Sequence, residues 1–293
     1  MSGTRLVRRR AIGILTGFLC GGVALGAALA ADSAAAPKGL DLSPDPNTAW
    51  GAFGNDYIAI PGGTKPVAND PKHPYVGNGA ARGPGGVRRQ VTVRVADTTN
   101  PILKPWAAEH MRQENEAVLK GRIGFVAPSS CYPGGVPGLH LFPGIPVYFV
   151  QTPQKITLMQ MRGPEVRQIY LNVPHSKNVK PSWYGESVGH YEGDTLVVDT
   201  IGLAAKGPID NWRTPHSDSL HVVERFRLTG DGKILEVQIA MEDPVAFTAP
   251  WVVMQKYRRV AAEPLTESIC AENNVNFFNE DVTPIPTAAT ADF

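Results

Sequence analysis

The sequence predicts an all-β fold, mainly antiparallel: an up-and-down, lipocalin-like barrel of about 8–9 strands with a loop-rich N-terminal wrapper and one helix. Three observations lead there. From residue 146 onward, short runs rich in Val, Ile, Thr and aromatic residues are joined by tight-turn pairs such as Glu192-Gly193 and Asp231-Gly232. Gly and Pro crowd the preceding zone, with 30 in the 115 positions of 31–145 against 20 in the 148 positions of 146–293. Hydrophobic residues make up 43% of the 293-residue chain, enough to bury one sizeable core. Closure into a barrel removes exposed strand edges, and an open half-barrel or a sandwich is the alternative.

Residues 1–30 read as a leader. Arg5, Arg8, Arg9 and Arg10 precede an uncharged run, Ala11 to Ala30, that ends Ala28-Leu29-Ala30. A basic start, an apolar middle and an A-x-A site are the marks of a secretory signal, and Arg9-Arg10 suggests the twin-arginine route. The alternative is a retained anchor, since the run is just long enough to span a bilayer. Removing the leader takes four arginines, so 24 basic residues face 27 acidic ones and the formal charge moves from +1 to −3. Such a balance excludes electrostatic capture of nucleic acid, and the cleaved protein needs no membrane contact. The expected location is periplasmic or secreted. Cys131 and Cys270 are then the remaining cysteines, and an oxidising compartment favours their pairing as a disulfide.

The wrapper, 31–145, holds one helix from about Pro105 to Lys120, with an imperfect stripe at Trp106, His110 and Ala117 and a stop at Gly121. Gln90 to Val95 alternates as a short strand. Its glycine clusters lack the Lys-Ser/Thr of a phosphate-cradling loop. The barrel, 146–275, reads as Val147–Gln151, Ile156–Arg162, Arg167–Asn172, Glu186–Tyr191, Asp194–Ile201, Leu220–Leu228, Ile234–Met241, Trp251–Arg259 and Thr266–Cys270, before a tail at 276–293.

Pairing across Asp231-Gly232 places Leu228 opposite Leu235, Phe226 opposite Val237, Glu224 opposite Ile239 and Val222 opposite Met241. That face is apolar except for Glu224. A lone acid there has a raised pKa, the preparation of a general acid or base, unless an Arg or Tyr from a neighbouring strand pairs with it. Across Glu192-Gly193, His190 shares a face with Glu186 and Asp199, an arrangement suited to proton transfer; solvation at the hairpin tip is the plainer reading. The loop from Gly202 to Ser219 carries Asp210, Trp212, Arg213, His216 and Asp218 at one end of the barrel, where ligands bind and a lid can form.

Gly185-Glu186-Ser187-Val188-Gly189 matches the serine-hydrolase pattern G-x-S-x-G. Strand-turn-strand follows it instead of the helix that a nucleophile elbow requires, so Ser187 is discounted. His221-x-x-Glu224 has helical spacing within a strand, and no metal site is assigned.

The stretch Trp183-Tyr184-Gly185-Glu186-Ser187-Val188-Gly189-His190-Tyr191-Glu192-Gly193-Asp194-Thr195-Leu196-Val197-Val198-Asp199-Thr200 resembles a large family of exported bacterial proteins of poorly defined function. Pro215-His216-Ser217, Leu220 to Arg225, Glu242-Asp243-Pro244, Pro250-Trp251, Cys270 to Asn273 and the segment from Cys131 to Pro137 belong to the same likeness. Tyr191 stands where the pattern usually has Trp, and the Leu203–Asn211 loop departs from it. The resemblance implies export but no particular reaction.

The expected function is a cofactor-independent lyase, isomerase or hydrolase acting by acid/base chemistry on a small organic molecule in the barrel cavity. Glu224, His190, His216 and Asp243 are the candidate catalytic groups; Trp212, Arg213, Arg225 and Tyr184 are the candidate substrate contacts. The alternative is a lipocalin-like carrier of an apolar small molecule, and a structural envelope protein is a third.

Overall fold

The computed structural model describes residues 40–77, 90–122, 124, 132–142, 144–161 and 165–264. The leader, Cys131, Cys270, the strand expected at Thr266–Cys270 and the C-terminal tail lie outside these residues. The strands are β1 (Thr48–Ala52), β2 (Ile58–Ala59), β3 (Val147–Gln151), β4 (Lys155–Gln160), β5 (Glu165–Leu171), β6 (Glu186–Glu192), β7 (Thr195–Ile201), β8 (His221–Thr229), β9 (Ile234–Glu242) and β10 (Trp251–Ala261). The helix α1 (Pro105–Leu119) falls between β2 and β3.

Nine of these strands close a barrel in the order β1-β3-β4-β5-β6-β7-β8-β9-β10, with β10 pairing back onto β1. The length of β10 makes closure possible. One of its edges runs along β9 from Trp251 to Arg258, while the other is shared by β2 at Val253–Met254 and β1 at Tyr257–Ala261. The closing strand β1 therefore comes from the wrapper, so the boundary at 145/146 divides the sequence but not the barrel. Its five residues are all buried, including Trp50 at the core, and show no alternation for a sequence reading to detect.

The meander is antiparallel except at one step. Strands β5 and β6 run parallel, with Ile169 opposite Ser187 and Leu171 opposite Gly189, and residues 172–185 make the crossover. The up-and-down description thus becomes a mixed barrel. The two glycines of the G-x-S-x-G stretch have packing reasons here. Gly185 takes φ +59°, and a Cβ there would stand 2.3 Å from the Ile201 carbonyl oxygen. At Gly189 a Cβ would press within 3.1 Å of Ile169 and of the Val197 carbonyl, so glycine eases the close approach of the parallel pair. Ser187 sits inside strand β6, not on an elbow.

The β8–β9 hairpin has the register expected from its turn, with Leu228 opposite Leu235, Phe226 opposite Val237 and Glu224 opposite Ile239. Gly230, Asp231 and Gly232 all adopt left-handed angles, which Gly and Asp tolerate. Across β6 and β7, Ser187 and Gly189 with Leu196, Val198 and Thr200 face inward; Glu186, Val188 and His190 with Thr195 and Asp199 face out.

Two local expectations are corrected. The buried stripe of α1 is Ala107, Met111, Asn115 and Val118, so Trp106 and His110 lie on another face. Residues 90–95 form no strand: Val91 and Val93 are exposed, and the segment meets residues 68–76 through a bridge at Asn69 and Ala96 and a few single bonds. Pro71 and Pro74 in the facing segment remove the donors that a ladder would need.

Candidate functional site

Inside the barrel, alternation delivers a buried polar chain as well as an apolar core. Arg167 on β5 points inward with Ile169 and Leu171. Its guanidinium crosses β6 and β7, donating to Ser187 Oγ at 3.1 Å and Thr200 Oγ1 at 2.9 Å, and reaches Glu224 on β8, where Nη1 donates to Oε1 at 2.8 Å and Nη2 to Oε2. From the 3-10 turn Gly138–Leu141, His140 enters the same space and its Nε2 donates to Glu224 Oε1 at 2.6 Å; its Nδ1 is hydrogen-bonded to the Tyr257 hydroxyl. The turn is tied to the wall by Gln160, which donates to the Leu139 carbonyl, and by Gln255, which donates to the His140 carbonyl.

Glu224 has an exposure of 0%. Burial pushes its carboxyl up, but the Arg167 charge and the hydrogen bonds from Arg167 and His140 outweigh that and hold it at about 2. The raised pKa expected of a lone acid is therefore reversed, because the acid is not alone. Tyr257 and Tyr57 are pushed well up by burial and by nearby negative charge, and both stay protonated. Phe149 and Phe226 meet edge to face at 6.4 Å beside this chain. Side chains of Arg167, His140, Ser187 and Thr200 thus surround Glu224 among the described residues.

The loop from Gly202 to Leu220 is held on several sides. Asp210 accepts from the Trp212 and Thr214 backbone N–H groups at 2.9 and 3.0 Å and from the Thr214 hydroxyl at 2.7 Å. This wrap forces Arg213 to φ +65°, a conformation that costs a non-glycine residue about 1–2 kcal/mol. Trp212 turns away from the loop's open side: the Arg94 guanidinium lies 4.5 Å from its ring and 4.3 Å from that of Tyr75. Tyr57 donates to the Ile209 carbonyl, and Asn211 to the Asn55 carbonyl. Asp243 accepts from the Ser217 N–H at 2.6 Å and hydroxyl at 2.8 Å, and from Val245 and Ala246 N–H. The Trp-Arg-His loop is a pinned wall, not a free lid.

Between this wall and α1 lies a cleft of about 530 Å³, within the range common for ligand sites. Trp106, His110 and Glu114, spaced four apart, bring one stripe of the helix to it; Lys206, Arg213 and His216 are the main contributions of the loop. Nδ1 of His216 lies 2.7 Å from the Ser217 carbonyl oxygen, so that nitrogen carries the proton and Nε2 keeps the lone pair. Burial lowers the His216 pKa below its usual value, against the smaller pull of the Ser217 bond and of Asp243, so the ring is neutral at neutral pH. Arg213 is 7% exposed; it donates through Nη2 to the Arg94 carbonyl at 2.7 Å, and its Nε has no hydrogen-bond partner.

The structure brings His216 and Arg213 to one cleft, with Asp243 bound to the adjacent Ser217, and separates the remaining candidates. His190 is 54% exposed at the β6–β7 hairpin, 3.2 Å from Glu192, which also takes Arg225 at 2.5 Å. The surface that His190 was expected to share belongs to His175, which bridges Glu186 at 3.0 Å and Asp199 at 2.8 Å. Tyr184 donates to Glu165, a carboxyl that burial pushes up. Among the described residues, no group of three or more His, Cys, Asp or Glu is arranged to hold a metal ion. Arg167 could be found by inward parity with Ile169 and Leu171, whereas His140 sits in a four-residue turn with no periodicity to mark it.

Asp210 supplies a pH test of the wall. Burial pushes its carboxyl up to about 6 despite the three bonds that it accepts. A carboxyl raised in the folded state binds its proton more readily there than in the unfolded chain, so its contribution to stability falls as pH rises from about 4 to 6. Relative to Asp210→Asn, the wild type is expected to lose roughly 2 kcal/mol of stability between pH 4 and pH 7. Urea unfolding of both proteins across that range checks this; a gap that stays constant contradicts it.

Comparison with family models, with curated proteins and with solved structures gives no match.

Proposed function

We propose that the protein is an exported, cofactor-independent enzyme that performs acid/base chemistry on a small organic anion in the cleft between α1 and the 202–220 loop. The observation that carries this reading is His216: neutral, fixed in one tautomer by the Ser217 carbonyl, and with Nε2 left as a lone-pair acceptor in a cleft that also holds the Arg213 guanidinium. A base poised near neutral pH beside a fixed cation is what proton abstraction next to a carboxylate or carbonyl requires. Nε2 takes the proton from carbon and becomes the imidazolium. The electron pair left on the substrate then either accepts a proton at another carbon, an isomerisation, or expels a leaving group, an elimination. In a hydrolysis, Nε2 takes the proton of a water whose oxygen attacks the substrate carbonyl carbon, and the imidazolium then gives that proton to the leaving group as its bond to that carbon breaks.

Asp243 is a positioning residue in this reading, since both of its oxygens are committed to backbone and Ser217 donors. Glu224 belongs to the framework of the barrel. Carriage of an apolar ligand inside the barrel has less support, because the His140 turn and the Arg167–Glu224 pair fill the space beside the core. The likeness of residues 183–200 to exported bacterial proteins supports export.

The test is solvent exchange. Small hydroxy, keto and unsaturated carboxylic acids are incubated with the protein in deuterated water near neutral pH, and carbon-bound deuterium is read by proton NMR. Exchange or turnover that is lost in His216→Gln and kept in His190→Gln supports the reading. Absence of exchange and turnover across the panel, or activity unaffected by His216→Gln, overturns it.

A further inference from the structure

We infer that the ligand of this cleft is a planar, ring-bearing carboxylate, with its ring on Trp106 and its carboxylate on Arg213. The inference rests on the acid/base reading for the place of the site and adds the class of molecule. Trp106 is 47% exposed, whereas Trp50, Trp212 and Trp251 are buried. What sets Trp106 apart from the other exposed apolar side chains is its place on the wall of the cleft, where an indole offers a flat face for stacking. One turn further along α1, the His110 ring lies 6.3 Å from the Trp106 ring with the planes tilted by 33°, so the helix offers a shelf of two rings. Pro208 and Pro215 face the cleft from the loop and present flat apolar surface without backbone donors. Two such walls suit a planar ring better than a flexible chain, which has more rotational freedom to lose on binding.

Charge in the cleft points to a carboxylate independently of the rings. Arg213 is buried, with an Nε that has no hydrogen-bond partner, and its nearest carboxylate oxygen, on Glu114, lies 3.8 Å away. Glu114 is already held by Arg122 at 2.5 Å. One carboxylate therefore faces two guanidinium groups. Lys206 adds a third cation and Asp218 a second anion at the cleft, leaving a surplus of one positive charge across these five side chains. A buried guanidinium with an unused donor is best completed by a planar, two-oxygen acceptor. The ligand carboxylate takes the place of Glu114 on Arg213, while Arg122 keeps Glu114.

Benzoate, benzamide and acetate are the probes, titrated into the full chain at low ionic strength and followed by tryptophan fluorescence and calorimetry. Benzoate is expected to quench emission saturably and to bind at least about tenfold more tightly than uncharged benzamide or ringless acetate. Trp106→Leu, a change at an exposed position, is expected to remove the quench and weaken benzoate by about tenfold with the melting temperature unchanged. Lys206→Gln is expected to narrow the preference for benzoate over benzamide. Benzamide binding as tightly as benzoate, acetate binding as tightly, or benzoate affinity indifferent to Trp106→Leu each overturns the inference. His216→Gln separates it from the reading beneath it. If benzoate binds with these preferences while His216→Gln leaves exchange intact, the acid/base reading falls and the ligand class stands. His216-dependent exchange of aliphatic acids without benzoate binding does the reverse.

Discussion

Replacing Glu224 with Gln is expected to lower unfolding stability by about 3–5 kcal/mol, the cost of leaving a buried partner charge unpaired. The partner is Arg167, which has no access to water and whose remaining acceptors are the neutral hydroxyls of Ser187 and Thr200. Arg167→Met removes the other half of the pair and is expected to cost a similar amount. The double variant Arg167→Met/Glu224→Leu should recover much of the loss, since two apolar side chains of similar volume carry no desolvation penalty. Urea unfolding of the four proteins forms the cycle. Losses that simply add would show that the two groups do not act as a pair.

The pair also has a pH signature. The Glu224 carboxyl is held at about 2 in the folded protein against an ordinary 4.5. A carboxyl lowered by folding contributes stability that is complete above its unfolded value and disappears as pH falls through the folded one. Acid unfolding is therefore expected to steepen between these two values in the wild type and to flatten there in Glu224→Gln. Asp210 acts with the opposite sign at higher pH, so the two contributions separate along the pH axis.

The second large effect falls on activity. His216→Gln is expected to reduce turnover by about 10²–10⁴-fold, the usual contribution of a positioned base, measured under conditions where both proteins are folded. Because burial lowers the His216 pKa, the acid limb of the kcat/KM profile is expected below the ordinary histidine value of about 6.5. A limb at or above that value would assign the base to another group. Glu224→Gln, compared under conditions where both proteins are folded, should leave the position of this limb unchanged.

Much of the barrel was legible in the sequence because alternation and turn chemistry act locally. The Asp231-Gly232 turn carried the whole β8–β9 register, and Glu224 stood out as the polar residue on an apolar face. What the alternation did not carry was the far side of that carboxylate. Arg167 lies three strands away and His140 in an isolated turn, and the sequence has no term for a contact across a barrel interior. The closing strand escaped for a related reason: Thr48–Ala52 is buried on both faces and lies in a zone dense with Gly and Pro. At the cleft, Arg213 and His216 were legible as polar residues in one loop. Trp106, His110 and Ala117 read as the core stripe of the helix, but Ala107, Met111, Asn115 and Val118 hold the core, which leaves Trp106, His110 and Glu114 to the cleft.

Proton abstraction in this cleft depends on the state of one imidazole. Proton–nitrogen NMR of the chain labelled in its seven histidines, with His216→Gln used to assign the signal, reads tautomer and titration together. The expected result is a His216 ring protonated on Nδ1 alone at neutral pH, titrating below the ordinary value, with an Nε2 resonance that moves when benzoate is added. A ring protonated on Nε2, or one that is already cationic at neutral pH, would contradict the claim that this cleft holds a base.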